Sequence, residues 1–184
     1  MTYQLRVAGL IRDLPLCPID DSLYIAAFVM FGDVELTRAC AAELLKMAPD
    51  YDILITAESK GIPLVYEMAR QHGENKYIVA RKMPKLYMKN VFSVNVRSIT
   101  TASIQMLCID QADADYIRGR RVLIVDDVIS TGESIRAVEK LVTDAGGKTV
   151  GRMAVLAEGK ARDRDDITYL EWLPLFTPGG APIS

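Results

Sequence analysis

The segment Val122-Leu-Ile-Val-Asp126-Asp127-Val128-Ile129-Ser130-Thr131-Gly132-Glu133-Ser134 sets two adjacent carboxylates a few residues ahead of a turn of hydroxyls and glycine. Four apolar residues suit a buried strand, and two carboxylates at its end cannot both enter a core unpaired, so they must emerge at an edge. Gly132 permits close backbone approach and unusual φ. The amides from Ile129 to Ser134 can point at one spot where the next helix begins. That makes an anion nest reinforced by the helix dipole. Ser130, Thr131 and Ser134 add hydroxyl donors. Carboxylates accept from sugar hydroxyls and the turn accepts a phosphate, so the ligand suiting both is a sugar phosphate.

Other strand-acid-turn arrangements compete with this one. The Mg²⁺ strand of P-loop ATPases also ends in acids, but no G-x-x-x-x-G-K-[ST] occurs in this chain. A phosphorelay receiver domain needs more chain after its acidic pair than follows Asp127. A plain strand-to-helix connection with solvated acids stays open.

A second chemistry-bearing stretch is basic. From Lys76 to Ile109 there is no acid, while Lys76, Arg81, Lys82, Lys85, Lys89 and Arg97 are cationic. The whole chain of 184 residues carries 22 basic against 24 acidic side chains, net −2, so the surplus is local. A polyanion such as pyrophosphate needs such a cluster; a solvated basic face or a nucleic-acid patch are the alternatives. The near-neutral balance argues against a non-specific nucleic-acid or membrane binder. Cys17, Cys40 and Cys108 are widely spaced and lack metal-ligand spacing, so they read as reduced, buried thiols of a cytoplasmic protein. The longest apolar run, Tyr24 to Phe31, is far short of the roughly 20 residues a membrane span needs. The N-terminus lacks a charged-then-apolar signal pattern. His72 reads as a surface residue near a helix end.

These groups need elements to hold them. Leu36 to Met47 has helical spacing, with Asp33 as N-cap and Pro49 beyond its end. Asp52 to Ala57 and Tyr77 to Ala80 are apolar runs suited to buried parallel strands. Gly61 to His72 reads as a helix stopped by Gly73. Val91 to Val96 and Ile104 to Cys108 read as strands able to form a hairpin. Arg121 to Val125 is a strand, Gly132 to Ala145 a helix closed by Gly146-Gly147, Thr149 to Ala157 a strand, and Tyr169 to Leu173 a last edge strand. Residues 1 to 33 read as irregular. The alternation predicts an α/β fold with a mostly parallel twisted sheet flanked by helices. Ligands then sit outside the carboxyl ends of the strands. That places Glu58 to Gly61, Arg81 to Lys85 and Asp126 to Ser134 at one edge.

The thirteen-residue stretch from Val122 to Ser134 resembles the phosphoribosyl-pyrophosphate (PRPP) signature of type I phosphoribosyltransferases, most closely their purine branch. Glu58-Ser59-Lys60-Gly61 is similar to that branch's pyrophosphate turn, often built with a non-proline cis peptide. Arg81-Lys82…Lys85 is similar to its basic segment, and Lys85 to roughly Ser103 resembles its flexible lid, with Tyr87 and the run Val96 to Thr101 where the family carries Tyr and Ser-rich residues. Residues 1–33 and 158–184 resemble the small variable hood that selects the base, around a core of about 34–157 in a single domain of 1–184.

The resemblance implies a transferase joining a purine to the ribose of PRPP, with release of pyrophosphate and a nucleoside monophosphate, in nucleotide salvage. Asp126 and Asp127 would hold the ribose hydroxyls. The turn Val128, Ile129, Ser130, Thr131, Gly132, Glu133 and Ser134 would hold the 5′-phosphate. Glu58, Ser59, Lys60, Arg81, Lys82 and Lys85 would hold pyrophosphate. Phe28, Met30 and Glu158 would contact the base. The xanthine enzymes carry a base-reading Asn near Met30 and a Lys near Glu158; a carboxylate at Glu158 instead favours an exocyclic amine, hence adenine. Mg²⁺ is implied as cofactor, held through substrate and water with Asp126 or Asp127 at most. A homodimer is implied, with neither nucleic acid nor membrane as partner. Two rivals remain: a PRPP-sensing regulator without turnover, suggested by the lack of an acid in the lid, and an orotate-type enzyme.

Overall fold

The computed structural model describes residues 1–97 and 104–183. The chain begins with strands β1 (Thr2–Val7), β2 (Leu10–Pro18) and β3 (Tyr24–Ala26). It continues through α1 (Val34–Met47), β4 (Ile53–Ala57), α2 (Ile62–His72) and β5 (Ile78–Ala80). Then come β6 (Phe92–Arg97), β7 (Ile104–Ile109), α3 (Gln111–Ile117), β8 (Arg121–Ile129), α4 (Glu133–Asp144) and β9 (Lys148–Glu158). A 3-10 turn, Gly159–Asp163, precedes β10 (Thr168–Leu173), β11 (Leu175–Phe176) and β12 (Pro182–Ile183). Among the described residues no helix is long and apolar enough to cross a membrane.

The central sheet has the order β10-β9-β8-β4-β5 and pairs parallel throughout. Strand periodicity splits its side chains between two cores. Leu54, Leu123, Val125, Met153 and Val155 face one cluster, shared with Leu36 and Leu44 of α1 and Leu64 and Met68 of α2. Ile53, Ile55, Val122, Ile124 and Ala154 face the other, shared with Ile135, Val138 and Leu141 of α4 and Ile117 of α3. Burying each large aliphatic side chain is worth about 1.5–3 kcal/mol, and both faces of β4 and β8 collect it, which fixes their register. Helix boundaries follow capping chemistry. The Asp33 carboxylate accepts from the Leu36 amide, and Gly73 ends α2 at φ 81°.

Residues 1 to 33 are not irregular. β1 and β2 form an antiparallel hairpin through Ala8 and Gly9, both at positive φ, and β2 pairs onto β3. The alternation that puts Leu5 and Val7 inward is short, and Pro15 and Pro18 punctuate the second strand. The hood sheet has the order β1-β2-β3-β11-β12. β10 lies on the parallel sheet against β9, so only the chain from Leu175 onward joins the hood sheet; residues 158–174 do not. α3 also went unread: it is only seven residues long, started by the Asp110 side chain accepting from the Asp113 amide.

Candidate active site

β8 continues past Val125, where the sequence put its end. Asp126, Val128 and Ile129 keep their register with Ala154, Leu156 and Ala157 of β9. Val128 and Ile129 therefore belong to the ladder, and the side chain of Ile129 is core. The open turn is narrower than expected and starts at Ser130. Gly132 follows at φ 77°, the N-cap of α4, and no side chain caps that helix. The Glu133 amide donates to the Thr131 hydroxyl at 3.4 Å, and the next amides of the first turn, which have no intrahelical acceptor, face outward. Ser130, Thr131 and Ser134 are exposed beside them.

The two acids differ. Asp127 is buried, at 3% exposure. The Asp126 carboxylate accepts from the Asp127 amide at 2.9 Å. Burial, and next the charge of Asp127, push the Asp126 carboxyl well above the ordinary carboxylate range.

The turn after β4 reaches this pair from 65 residues away in sequence, and its Glu58–Ser59 peptide is cis. Lys60 Nζ lies 2.8 Å from Asp127 Oδ2, an ion pair outside hydrogen-bond alignment. Gly61 packs so tightly that a Cβ there would lie 2.3 Å from Thr56 Oγ1 and 3.3 Å from Asp126 Oδ1. Only glycine lets this turn lie against the acids.

Glu58 is the hub of the basic segment. Its carboxylate accepts from Arg81 Nη1 at 3.2 Å and from the Lys82 amide at 3.2 Å, and Lys85 Nζ stands 3.5 Å away. Burial pushes the Glu58 carboxyl up, but the Lys82 amide and the charges of Lys85 and Arg81 outweigh it and hold it below its usual value. Glu58 thus gathers cations. Lys82 reaches it through the backbone and leaves its ammonium exposed. Arg81 Nη2 donates to the Tyr87 hydroxyl at 3.2 Å, which ties the expected lid residue to the cluster. The described part of that lid ends in an antiparallel ribbon, β6 on β7, and residues 98–103 of the expected loop lie outside the described residues.

The base-contact expectations divide. Phe28 and Met30 are 4% and 1% exposed and pack in the first core cluster. Their aromatic and thioether character suits both packing and a ligand contact. Met30 does reach the wall of a hollow of about 330 Å³ lined also by Val34, Ile62, Pro63, Tyr66 and Tyr77. Glu158 ends β9, opposite Leu173 of β10, at the sheet's carboxyl edge, half-exposed. One residue escaped the sequence reading: a Cβ on Gly132 would lie 2.0 Å from Nη1 of Arg164. The Arg-Asp alternation from Arg162 to Asp166 was its only signal.

Comparison with known proteins bears on the family and the fold. An adenine phosphoribosyltransferase of Petrotoga mobilis is 29% identical over 168 residues, covering 88% of this chain and 91% of its own. An orotate phosphoribosyltransferase of Halorhodospira halophila is 30% identical over 139 residues, covering 73% of this chain and 55% of its own. The crystal structure of an adenine phosphoribosyltransferase from Thermoanaerobacter pseudethanolicus superposes with a TM-score of 0.69 at 22% identity, covering 86% of this chain and 95% of its own, and shares the fold. Residues 36–174, from α1 to just beyond β10, match the phosphoribosyl transferase domain, and the chain belongs to that family.

Proposed function

We propose that this chain transfers the 5-phosphoribosyl group of PRPP to a purine base, adenine before others, releasing pyrophosphate and a nucleoside monophosphate in nucleotide salvage. The observation carrying the reading is the convergence of three chain segments. The carboxylates of Asp126 and Asp127, the open turn Ser130–Ser134, and the Lys60, Arg81 and Lys85 cations gather at the carboxyl ends of β8, β4 and β5. In this reading the acids orient the ribose hydroxyls and the turn takes the 5′-phosphate. The cations neutralise the leaving pyrophosphate as the bond from C1 to its oxygen breaks and the base nitrogen bonds to C1, its proton passing to the departing pyrophosphate or to solvent. Positioning and charge stabilisation supply the catalysis, and no side-chain nucleophile is needed.

Mg²⁺ fits this donor set. Among the described residues no group of three or more acidic, His or Cys side chains could cage a metal. The acid pair nevertheless offers carboxylate oxygens beside the pyrophosphate cluster, and Asp127 Oδ2 is buried without a hydrogen bond. Mg²⁺ characteristically takes one or two carboxylates and fills its octahedron with phosphate oxygens and water, and here it would supply charge neutralisation to the leaving group.

Adenine is favoured by Glu158. Its carboxylate has no hydrogen-bond or ion-pair partner among the described residues, and it can accept from an exocyclic amine where a 6-oxo group would be repelled. The names of relatives such as the Petrotoga mobilis protein point the same way. A second copy of the chain over the exposed Met83, Leu86 and Tyr87 belongs to the same reading, and light scattering on the purified protein reads it. The sensor reading rests on the absence of acids between residues 83 and 109. Incubation with Mg-PRPP and a panel of adenine, hypoxanthine, guanine, xanthine and orotate separates the readings. Pyrophosphate released with adenine supports the proposal, release with orotate favours the orotate-type enzyme, and binding without release with any base overturns catalysis.

A further inference from the structure

The turn that would hold a dianionic 5′-phosphate contains no cation. Between Val128 and Ser134 the only ionisable side chain is Glu133, an acid. Amides, hydroxyls and the dipole of α4 would face the phosphate without a fixed positive charge from their own segment. A charge stands on the neighbouring loop instead. After β9 and its 3-10 turn, Arg164 folds back against the Cα of Gly132, filling the place where any other residue would carry a side chain. Its side chain is largely buried, at 22% exposure.

The orientation of the guanidinium is set from behind. Nε and Nη2 each donate to the Asp166 carboxylate at 2.8 Å, a bidentate fork. Arg164 in turn holds the Asp166 carboxyl below its ordinary range. With that edge occupied, Nη1 is the nitrogen turned to Gly132, and it donates to no acceptor among the described residues. A planar fork anchored on one edge presents its remaining N–H groups in one direction at little cost in side-chain entropy.

We infer that Arg164, locked by Asp166 and seated on Gly132, is a positioning and specificity residue that gives the phosphate turn its one fixed cation and selects ligands carrying a 5′-phosphate. The absence of a side chain at Gly132 then has two uses: it allows the φ of 77°, and it admits the guanidinium. The inference rests on the reading of Ser130–Ser134 as the 5′-phosphate site.

The test is calorimetric titration of the full chain, in Mg²⁺ buffer, with ribose 5-phosphate and separately with pyrophosphate. Arg164→Met should bind ribose 5-phosphate about tenfold more weakly while its pyrophosphate affinity stays within about twofold of wild type. Arg164→Lys should recover part of the loss, and in turnover the KM for PRPP should rise in the Met variant with little change in kcat. Unchanged ribose 5-phosphate affinity in Arg164→Met, or equal loss of both ligands, overturns the inference. Should the Met variant fail to fold, Asp166→Asn carries the test, since it keeps the guanidinium and frees it. A loss of about threefold for ribose 5-phosphate alone supports the inference, and no loss overturns it. Wild-type protein that binds neither ligand defeats the phosphoribosyltransferase reading itself, whereas wild type that binds both beside an indifferent Arg164→Met defeats only the role of Arg164.

Discussion

The turn after β8 and the turn after β4 leave the carboxyl ends of neighbouring parallel strands, yet they are built from different materials. Ser130–Ser134 offers a helix start without a side-chain N-cap and hydroxyls, with Arg164 seated against Gly132. The Glu58–Gly61 turn offers side-chain charge: Arg81 and Lys85 on Glu58, and Lys60 on Asp127. The first is made by the backbone, is fixed by the fold and answers little to salt. The second is made of long side chains already satisfied by acids, which an incoming pyrophosphate must draw away. A phosphate that stays bound through a reaction suits the first design, and a group that must leave suits the second.

The largest effect should come from the acids lying between the two regions. Asp126→Asn with Asp127→Asn should lower kcat/KM for PRPP by about 10³-fold or more, measured as pyrophosphate release, because both ribose contacts and the Lys60 partner go together. Wild-type turnover in the double variant would refute their role. Next comes the backbone-built region. Gly132→Ala forces a side chain into left-handed backbone and against Arg164, so kcat/KM should fall about 10²-fold while circular dichroism stays native. Smaller still is the charge-built region. Arg81→Met should raise the KM for PRPP about tenfold, with a weaker salt dependence than wild type. A salt response identical in wild type and variant would erase the contrast drawn between the two turns.

The smallest effect concerns stability and has the opposite sign. The Asp126 carboxyl is raised in the fold, chiefly by burial and then by Asp127. The native state therefore holds a proton that the unfolded chain releases, and stability falls as pH rises from about 4 through the raised value. Asp126→Asn removes that penalty. The variant's Tm at pH 8 should exceed wild type by about 2–4 °C for each 1 kcal/mol relieved, and the gain should vanish at pH 4. An equal Tm difference at both pH values would show that the carboxyl is not raised.

Much of this was legible in the sequence because the relevant signals are local. The apolar runs of β4 and β8, the Asp33 cap, the Gly73 stop and the turn at Gly132 each declare themselves within a few residues, and the strand-to-edge rule then brings three segments together. What was missed depends on distance. The hood sheet pairs residues 2–26 with 175–183 and has no signal within either segment. The extension of β8 to Ile129 comes from its ladder with β9, which overrides the turn chemistry that starts at Ser130. Met30 and Phe28 are apolar in any setting, and only packing shows that they face inward. Arg164 meets Gly132 across two loops, a contact no spacing encodes.

The most direct measurement is a crystal structure of the full chain with ribose 5-phosphate and Mg²⁺ pyrophosphate. The account predicts the sugar's phosphate on the amides of Ser130–Ser134, its ring hydroxyls on Asp126 and Asp127, and pyrophosphate among Lys60, Arg81 and Lys85. A sugar phosphate seated among those cations, with the turn after β8 empty, would contradict it.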